Sequence, residues 1–521
     1  MGFSGLREFI ELLDREGELA RVRVPVDLDQ ELGAVCVTSL RGRGPALLFE
    51  RPGGKDMPIF INALASRKRY ALAMQCDQQE VHREWNRRVS QPLPPVPVDS
   101  GPCHEVILQG DDINILELPA PRLNSLDGGA FLTLCCHHTR DSVAGFRNVG
   151  IYRNQVHGPR TLGILSGPYT NFMLQHRKAP TEPFPIAIAI GVDPRLVMAA
   201  SCPFPFGVDE LAMAGALRGK PFEVVQCKSV PLLVPADAEL VLEGYLKPDE
   251  KQEEGPFGEF TGHYGGLKMP RPTIHVTALT RRKNPILHLA YQGAPPHETD
   301  VLTAVGKESE ILRNISLAGV KAVHLTEGGC GVFHVVVAID KLYEGYGKMV
   351  GLAVFGSPSG RHIKQVTVVD DDVDPFDPAA VEWAVATRVQ RPGVEPESRD
   401  DRRVTVVAIV RVPHERLEEF GVRPLDAPED VLAVVRAEPR EVTGAVGPRR
   451  LLHRLKPARE QRLELGGRGG DDEDVVERHR AGARKLAAGR HESVEHQRQQ
   501  VAPRGEHLLR HARLWIMPSA M

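Results

Sequence analysis

The segment EEGPFGEF places two carboxylates, Glu254 and Glu259, around Gly-Pro-Phe-Gly. Pro256 fixes its own φ angle and favours an extended Gly255, while Gly258 permits an unusual backbone turn, so the segment predicts a shaped loop. Loops held on rigid scaffolds often carry chemistry. The alternative is a solvated acidic turn, because more acidic and polar residues immediately precede the loop. The eight residues alone favour the solvated turn.

A second segment, NVGIYR, places an amide, a tyrosine and Arg153 on a predicted strand. An arginine at the end of a strand is usually solvated. In a closed site with Glu254 and Glu259, it could instead bind a substrate carboxylate through two hydrogen bonds. It would also keep one glutamate ionised while a second, more buried glutamate stays protonated and acts as an acid. The residues alone do not show that the three side chains meet.

The run CCHH, residues 135–138, is a candidate zinc site. On a strand, however, successive side chains point to opposite faces, so Cys135 and His137 are separated from Cys136 and His138. Four such side chains cannot converge on one tetrahedral metal, and zinc is disfavoured.

The acidic run VVDDDVDPFD, residues 368–377, resembles a calcium loop but lacks the glycine and the terminal glutamate of an EF-hand. Acidic residues between a strand and a helix N-cap explain it better. The glycines of VFGSPSG form no dinucleotide fingerprint, and no Walker-type loop occurs. A phosphate-bearing cofactor would therefore need another anchor, such as a metal with oxygen ligands.

Length and composition describe a multidomain protein without a strong electrostatic bias. A chain of 521 residues predicts two to four domains, and a net charge of −3 gives no case for nucleic acid or an anionic membrane. Eight scattered cysteines suit a reducing compartment, which predicts a cytoplasmic protein. The sequence contains no run of eighteen apolar residues, so we expect no membrane-spanning helix. The N-terminus is charged and lacks the apolar core of a signal peptide.

The N-terminal domain, predicted over residues 1–115, mixes helices and strands. Its first helix carries apolar residues at helical spacing, namely Leu6, Phe9, Ile10 and Leu13. GPALLFE predicts a short buried strand, and a proline-rich connection at 91–102 marks a domain edge.

Residues 116–305 are β-rich. AFLTLCCHHTR and FRNVGIYRNQV, joined by DSVAG, predict a hairpin. Further strands are predicted in FPIAIAIGV, FEVVQC, ELVLEGYL, TIHVTALTRR and PILHLAYQG. A single helix, GVDELAMAGALRG, interrupts them and ends at Gly219. Several short strands with turn signals indicate a barrel or sandwich.

Residues 306–390 return to an α/β pattern, with strands in GVFHVVVAID and KQVTVVDDD and a helix capped by Asp377. The composition then changes: residues 391–521 contain 23 Arg, 2 Lys and one Phe. So few large apolar residues can hardly build a core. We therefore expect an atypical, Arg-rich and poorly ordered tail, in which only RRVTVVAIVRV predicts a strand. Its Asp and Glu residues offset the charge that nucleic-acid binding would need.

Three motifs in one order and spacing carry a family resemblance: NVGIYRNQV, GVDELAMAGALRGKPFEVVQC and EEGPFGEFTGHYG. Over residues 1–390 the chain resembles the UbiD family of decarboxylases, which use prenylated FMN to remove or add carboxyl groups on aromatic and α,β-unsaturated acids. The resemblance implies an N-terminal α/β domain, a central split β-barrel similar to flavin reductases, and a C-terminal α/β domain.

The resemblance also implies three catalytic residues. Arg153 would hold the substrate carboxylate, Glu254 would tune Arg153, and Glu259 would donate a proton to the substrate carbon. Phe257 and Phe260 flank Glu259 in the sequence and would supply an apolar environment that keeps it protonated.

A cofactor site follows from the same resemblance. A divalent metal, usually manganese, would bridge the flavin phosphate to Asn148 and Glu210, with potassium as a further candidate ion. Flavin-lining positions would be Ile151, Tyr152, Arg153, Leu165, Ser166, Gly167, Thr170 and Asn171. Asn171 stands where some members supply a metal-binding histidine.

The resemblance leaves alternatives open. The same chemistry could run in reverse as a carboxylase. The chain could also be a non-catalytic remnant, because the family's C-terminal segment, which brings a lysine near the cofactor and dimer contacts, does not occur after residue 390. Implied partners are a small carboxylic acid, such as a 4-hydroxybenzoate-type acid of ubiquinone biosynthesis, a flavin prenyltransferase that supplies the cofactor, and a second copy of the chain.

Overall fold

The structure of the protein is a computed structural model that describes residues 3–178, 181–389, 404–413 and 430–436. Helices and short strands alternate in the N-terminal part. They are α1 (Leu6–Arg15), β1 (Leu19–Val22), α2 (Glu31–Arg41), β2 (Ala46–Phe49), β3 (Ile59–Ile61), α3 (Arg67–Met74), α4 (Val81–Val89), β4 (Val96–Pro97) and β5 (Val106–Gln109). The apolar residues predicted on α1 are all buried, and every residue of β2 is buried.

The central part contains most of the strands. Its elements are β6 (Phe131–Arg140), β7 (Arg147–Gly158), β8 (Thr161–Ile164), α5 (Asn171–His176), β9 (Phe184–Ile190), α6 (Pro194–Ser201), α7 (Glu210–Arg218), β10 (Glu223–Gln226), β11 (Leu233–Pro235), β12 (Leu240–Glu254), β13 (Met269–Arg281) and β14 (Leu287–His288). Six strands pair in the order β12-β9-β6-β7-β8-β13, and β12 pairs with β13 to close the ring. Every neighbouring pair is antiparallel. The predicted central barrel is confirmed.

The central part differs from the prediction in its helices, in strands β8 and β11, which were not predicted, and in β14. Helices α5 and α6 interrupt the strands in addition to α7, which ends at Gly219 as predicted. The segment PILHLAYQG forms only the two-residue β14, which pairs with β3 instead of the barrel. Conversely, β5 pairs with β13. Both residues of β14, Leu287 and His288, are buried, so alternation of buried and exposed residues could not indicate which sheet they join.

Successive side chains on the barrel strands point to opposite faces and pack into two different hydrophobic cores. On β9 the alanines 187 and 189 join a core that includes Trp85 of α4, whereas the isoleucines 186, 188 and 190 join the other core. The barrel therefore packs directly against the N-terminal helices because both faces of its strands are apolar.

The C-terminal part contains helices and a separate mixed β-sheet. Its elements are α8 (Glu298–Ile315), β15 (Val320–Leu325), β16 (His334–Ile339), α9 (Tyr346–Gly356), β17 (Gln365–Asp370), α10 (Pro378–Arg388), β18 (Thr405–Pro413) and β19 (Asp430–Arg436). The strands form one sheet in the order β15-β16-β17-β18-β19. Asp377 caps α10 as predicted, since its carboxylate accepts the Ala379 N–H at 2.9 Å.

The C-terminal sheet continues past residue 390, where the atypical tail was expected to begin. Strand β18 lies in the predicted strand RRVTVVAIVRV, and β19 was not predicted. Antiparallel pairing joins β18 to β17 and β19 to β18. The rest of the expected tail lies outside the described residues. Within the described part, no helix is long and apolar enough to cross a bilayer.

Candidate active site

The three predicted catalytic side chains meet at one place. Arg153 lies on β7, Glu254 is the last residue of β12, and Glu259 follows in the loop. The Arg153 Nε donates to Glu254 Oε1 at 2.9 Å, and Nη2 donates to Glu254 Oε2 at 3.2 Å. The Nη1 atom donates to Glu259 Oε1 at 2.5 Å. One guanidinium therefore binds both carboxylates, and the solvated-turn alternative for the loop is wrong.

Aromatic rings wall one side of this cluster. The Arg153 guanidinium carbon lies 4.4 Å from the ring centroid of Phe257 and 5.9 Å from that of Phe131. The two rings contact each other at a centroid separation of 4.6 Å. A cation over a ring face is stabilised by the ring quadrupole. Phe260, the other expected wall residue, stacks instead on Phe333 at 5.7 Å.

Burial differs between the two glutamates. The Glu254 side chain is 2% exposed, and the Glu259 side chain is 25% exposed. The expectation that the acid would be the more buried of the two therefore does not fit Glu259. Its partial exposure leaves Glu259 as the carboxyl that a ligand entering the site can reach.

The backbone of the loop departs from the prediction at its glycines. Gly255 has a φ angle of +89°, so it is not extended, whereas Gly258 is not among the positive-φ residues. The reason is local packing: the Gly255 N–H donates to Gln155 Oε1 at 2.7 Å, and Gly128 lies directly against Gly255. Only glycine adopts this backbone conformation at low cost.

The predicted metal ligands Asn148 and Glu210 lie at neighbouring positions. Glu210 is the first residue of α7, and its Oε2 accepts the N–H of Val149, the residue after Asn148, at 2.8 Å. The Asn148 Nδ2 donates to Thr139 Oγ1 at 3.4 Å, and Thr139 donates to Gln175 Oε1 at 2.7 Å. The amide nitrogen of Asn148 therefore faces Thr139, and in the described part of the chain no hydrogen bond to the Asn148 side-chain oxygen is present.

The Glu210 carboxyl fits a cation. It is buried, and burial raises its pKa to about 8. Among the described residues, no Lys, Arg or His forms an ion pair with it. No group of three His, Cys, Asp or Glu side chains in the described part could hold a metal. A hard divalent ion at this position would thus take one carboxylate oxygen, one amide oxygen and further oxygens from a cofactor or water.

The predicted flavin-lining residues divide into two groups. Tyr152 is close to the hydroxyls of Thr170 and Ser166, and burial raises the pKa of its phenol. The Ser166 and Thr170 hydroxyls hydrogen bond to each other at 2.7 Å. Strand β7 and the loop after β8 therefore meet here.

The other predicted flavin-lining positions lie in a hydrophobic core, in a loop and at the start of a helix. Ile151 packs against the core shared with the N-terminal helices, and Leu165 and Gly167 lie in the loop that joins β8 to α5. Asn171 is the first residue of α5, where Thr170 caps the helix by accepting the Met173 N–H at 3.3 Å.

The CCHH run lies within β6, and its residues join different cores, Cys135 one and Cys136 the other. Burial lowers the pKa of His137 to about 4 and that of His138 to about 3. These are side chains of the barrel core.

Sequence reasoning missed two residues of the site, Gln155 and Asp127. Both are buried, and both accept hydrogen bonds from backbone N–H groups of residues 254–259, which we call the glutamate loop. Gln155 could have been found from strand periodicity, because it lies two residues after Arg153 and so shares its face of β7. No local signal indicated Asp127.

Three domain models of one enzyme family match consecutive parts of this chain. The chain matches models of the N-terminal domain over residues 10–89, the Rift-related domain over 95–295 and the C-terminal domain over 300–392 of 3-octaprenyl-4-hydroxybenzoate carboxy-lyase. A protein of Archaeoglobus fulgidus without assigned function is 35% identical over 416 residues, which are 74% of this chain and 85% of that protein.

Solved structures of UbiD-class enzymes and aromatic-acid decarboxylases are also similar to this chain. An evolved dimeric form of the UbiD-class enzyme HmfF from Pelotomaculum thermopropionicum, in complex with prenylated FMN, is 36% identical with a TM-score of 0.71, over 77% of this chain and 93% of that one. The closed form of vanillic acid decarboxylase from Sedimentibacter hydroxybenzoicus is 30% identical with a TM-score of 0.71, over 94% and 99%. The 3,4-dihydroxybenzoic acid decarboxylase of Klebsiella pneumoniae is 30% identical with a TM-score of 0.69, over 79% and 88%. The chain belongs to the UbiD family, and it is a carboxy-lyase of that class.

Proposed function

We propose that this chain catalyses the non-oxidative decarboxylation of an aromatic or α,β-unsaturated carboxylic acid with prenylated FMN. The observation that carries the proposal is the Arg153 guanidinium bonded to both Glu254 and Glu259 beside an aromatic wall. The similar structures include an enzyme solved with prenylated FMN and decarboxylases of two aromatic acids.

Each catalytic side chain has a role that its contacts permit. A guanidinium has five N–H donors, and three of those on Arg153 are used by the glutamates, so two can bind a substrate carboxylate. Glu254 fixes the plane of the guanidinium through two hydrogen bonds. Glu259 donates the proton that replaces the lost carboxyl group at the substrate carbon.

The cofactor would be held by Asn148 and Glu210 through a divalent metal, with manganese as the first candidate and potassium as an additional ion. When bound, prenylated FMN supplies an electron sink for the electrons that the departing carboxyl group leaves on the substrate. Tyr152, Ile151, the 165–167 loop, Thr170 and Asn171 would line the flavin. The Glu210 carboxyl supports this placement, because it is buried and forms no ion pair with a Lys, Arg or His within the described residues.

The cellular setting belongs to the same proposal. The substrate would be a 4-hydroxybenzoate-type acid, as in ubiquinone biosynthesis, and a flavin prenyltransferase would supply the cofactor. Eight cysteines without disulfides support a cytoplasmic location. The dimeric form of HmfF supports a homo-oligomer. Carboxylation is the reverse of the same reaction and uses the same residues.

The test is turnover by the full chain after co-expression with a flavin prenyltransferase. Flavin content is measured by absorbance, and vanillic, 3,4-dihydroxybenzoic, 4-hydroxybenzoic and cinnamic acids are offered with and without added bicarbonate. We expect carbon dioxide and the decarboxylated product from at least one acid. Protein loaded with prenylated FMN and metal that converts none in either direction would support the non-catalytic alternative.

A further inference from the structure

The loop between the two glutamates is held by a side chain from the strand that carries Arg153. Gln155 is buried, 5% exposed, and lies on the same face of β7 as Arg153. Its Oε1 accepts the Gly255 N–H at 2.7 Å, and its Nε2 donates to the Gly128 carbonyl at 3.0 Å. One amide side chain thereby links β7, the glutamate loop and the segment 124–128.

The segment 124–128, which we call the strap, holds the other end of the loop. Asp127 is 5% exposed, and its Oδ1 accepts the Gly258 N–H at 2.8 Å. The Gly128 N–H donates to the Pro256 carbonyl at 2.8 Å. The two backbones pack so closely that a Cβ on Gly128 would lie 2.1 Å from the Gly255 carbonyl oxygen.

These contacts fix the backbone beside each catalytic carboxylate. Gly255 directly follows Glu254, and Gly258 directly precedes Glu259. Loop N–H groups are usually satisfied by water, whereas these two are bonded to buried side chains. A displacement of about 1 Å in a catalytic group can reduce turnover about 100-fold.

We propose that Gln155 is a positioning residue: by holding the Gly255 backbone, it sets where Glu254 and the rest of the glutamate loop lie relative to Arg153. Asp127 of the strap holds the Gly258 backbone and thereby the position of Glu259. This inference rests on the proposed function, because it assigns to Gln155 the placement of the groups that bind substrate and deliver the proton. Both polar atoms of the Gln155 side chain bind backbone groups, so Gln155 acts through the loop that it holds.

The first test compares Gln155→Met with Gln252→Met in flavin-loaded enzyme. Methionine has a similar length but removes both hydrogen bonds of Gln155. Gln252 lies on β12 two residues before Glu254, and within the described residues it has no hydrogen bond to the loop. We expect kcat of Gln155→Met to fall at least tenfold with KM changed less than threefold and flavin content unchanged, while Gln252→Met keeps wild-type values. Wild-type kcat in Gln155→Met would overturn the proposal, as would a proportional loss in both variants.

The second test needs no turnover, so it separates this inference from the proposed function. Hydrogen exchange is followed at single amides in the wild-type protein loaded with flavin. We expect the Gly255 and Gly258 N–H groups to exchange at least 100-fold more slowly than in an unstructured peptide. Exchange of either amide within tenfold of the unstructured rate would overturn the proposal. If Gln155→Met does not fold or load flavin, this measurement decides; if the wild type has no activity, the proposed function fails and this result still stands.

Discussion

At the scale of single residues, the shape of the Arg153 side chain matters more than its charge. Its Nε and one terminal nitrogen bind Glu254, and the other terminal nitrogen binds Glu259. A planar guanidinium can satisfy both carboxylates at once, whereas an ammonium group is a compact point charge that cannot reproduce the fork.

We therefore expect Arg153→Lys to keep the positive charge but lose substrate orientation. Its kcat/KM should fall by about 100-fold or more, the usual scale for removing an oriented hydrogen-bond donor from a catalytic site. The matched control is Arg160→Lys, since Arg160 is an exposed residue of the same barrel that pairs with Asp111. Kinetics of both flavin-loaded variants check this, and an Arg153→Lys enzyme within threefold of wild type would contradict it.

Glu210 gives a prediction on cofactor binding. Glu210→Ala removes the only acidic side chain among the proposed metal ligands, so we expect the purified variant to lose both metal and flavin. Metal content is measured by mass spectrometry and flavin by absorbance. Glu223→Ala, at an exposed position on β10, is the control. Full flavin occupancy without bound metal in Glu210→Ala would exclude a metal bridge.

At the scale of secondary-structure elements, β8 provides the space in which Glu254 lies. A Cβ on Gly163 would be 3.2 Å from Glu254 Cγ and 2.5 Å from His157 Nε2. Contacts this short force a neighbour to move. The absence of a side chain at Gly163 is therefore part of the site.

We expect Gly163→Ala to displace Glu254 and lower kcat by roughly tenfold, because small displacements of catalytic groups are costly. Gly356→Ala is the control, since a Cβ there meets nothing within 4 Å. Steady-state kinetics and flavin content are measured for both variants. Equal kcat values for Gly163→Ala and wild type would show that the Glu254 position is not set by β8.

Most of the elements that local signals indicated are present in the structure, although many helices and strands, such as α2, β8 and α8, were not predicted. The β6–β7 hairpin, the end of α7 at Gly219 and the Asp377 cap of α10 each depend on residues close in sequence. The pairing of β14 with β3 joins positions more than 200 residues apart, and no local pattern encodes it. The same limit explains why the positive φ of Gly255 was missed, since it depends on contacts with Gln155 and Gly128.

The site follows the same logic. Glu254 and Glu259 lie 101 and 106 positions after Arg153, so their meeting depends on barrel closure. The residue types are compatible with a cluster of Arg153, Glu254 and Glu259, but only the resemblance to the UbiD family predicted that the three side chains meet. The relative burial of the two carboxylates also depends on the closed barrel. The sequence therefore did not indicate that Glu254 would be more buried than Glu259.

At the scale of the whole molecule, the C-terminal sheet extends into the segment that was expected to be a poorly ordered tail without a core of its own. Strand β18 covers the edge of β17, and Val404 is buried beside Val336 and Val369. An exposed edge of an apolar strand promotes association between chains.

We therefore expect a chain ending at residue 389 to have a lower melting temperature and a stronger tendency to aggregate than the full chain. Thermal unfolding and light scattering at equal concentration measure both effects. If truncation leaves the melting temperature and the scattering unchanged, β18 and β19 add nothing to the sheet, and the original expectation for this segment is correct.

In the decarboxylation that we propose for this chain, Glu259 delivers the proton to the substrate carbon. The most direct measurement is turnover in D₂O by flavin-loaded wild type, Glu259→Gln and the exposed-site control Glu253→Gln, with products analysed by mass spectrometry. We predict one deuterium at the former carboxyl position for wild type and control, and a rate lowered by about 10²–10⁴-fold in Glu259→Gln with unchanged flavin content, the usual scale of general acid catalysis. A Glu259→Gln enzyme that binds flavin and turns over at the wild-type rate would contradict this assignment.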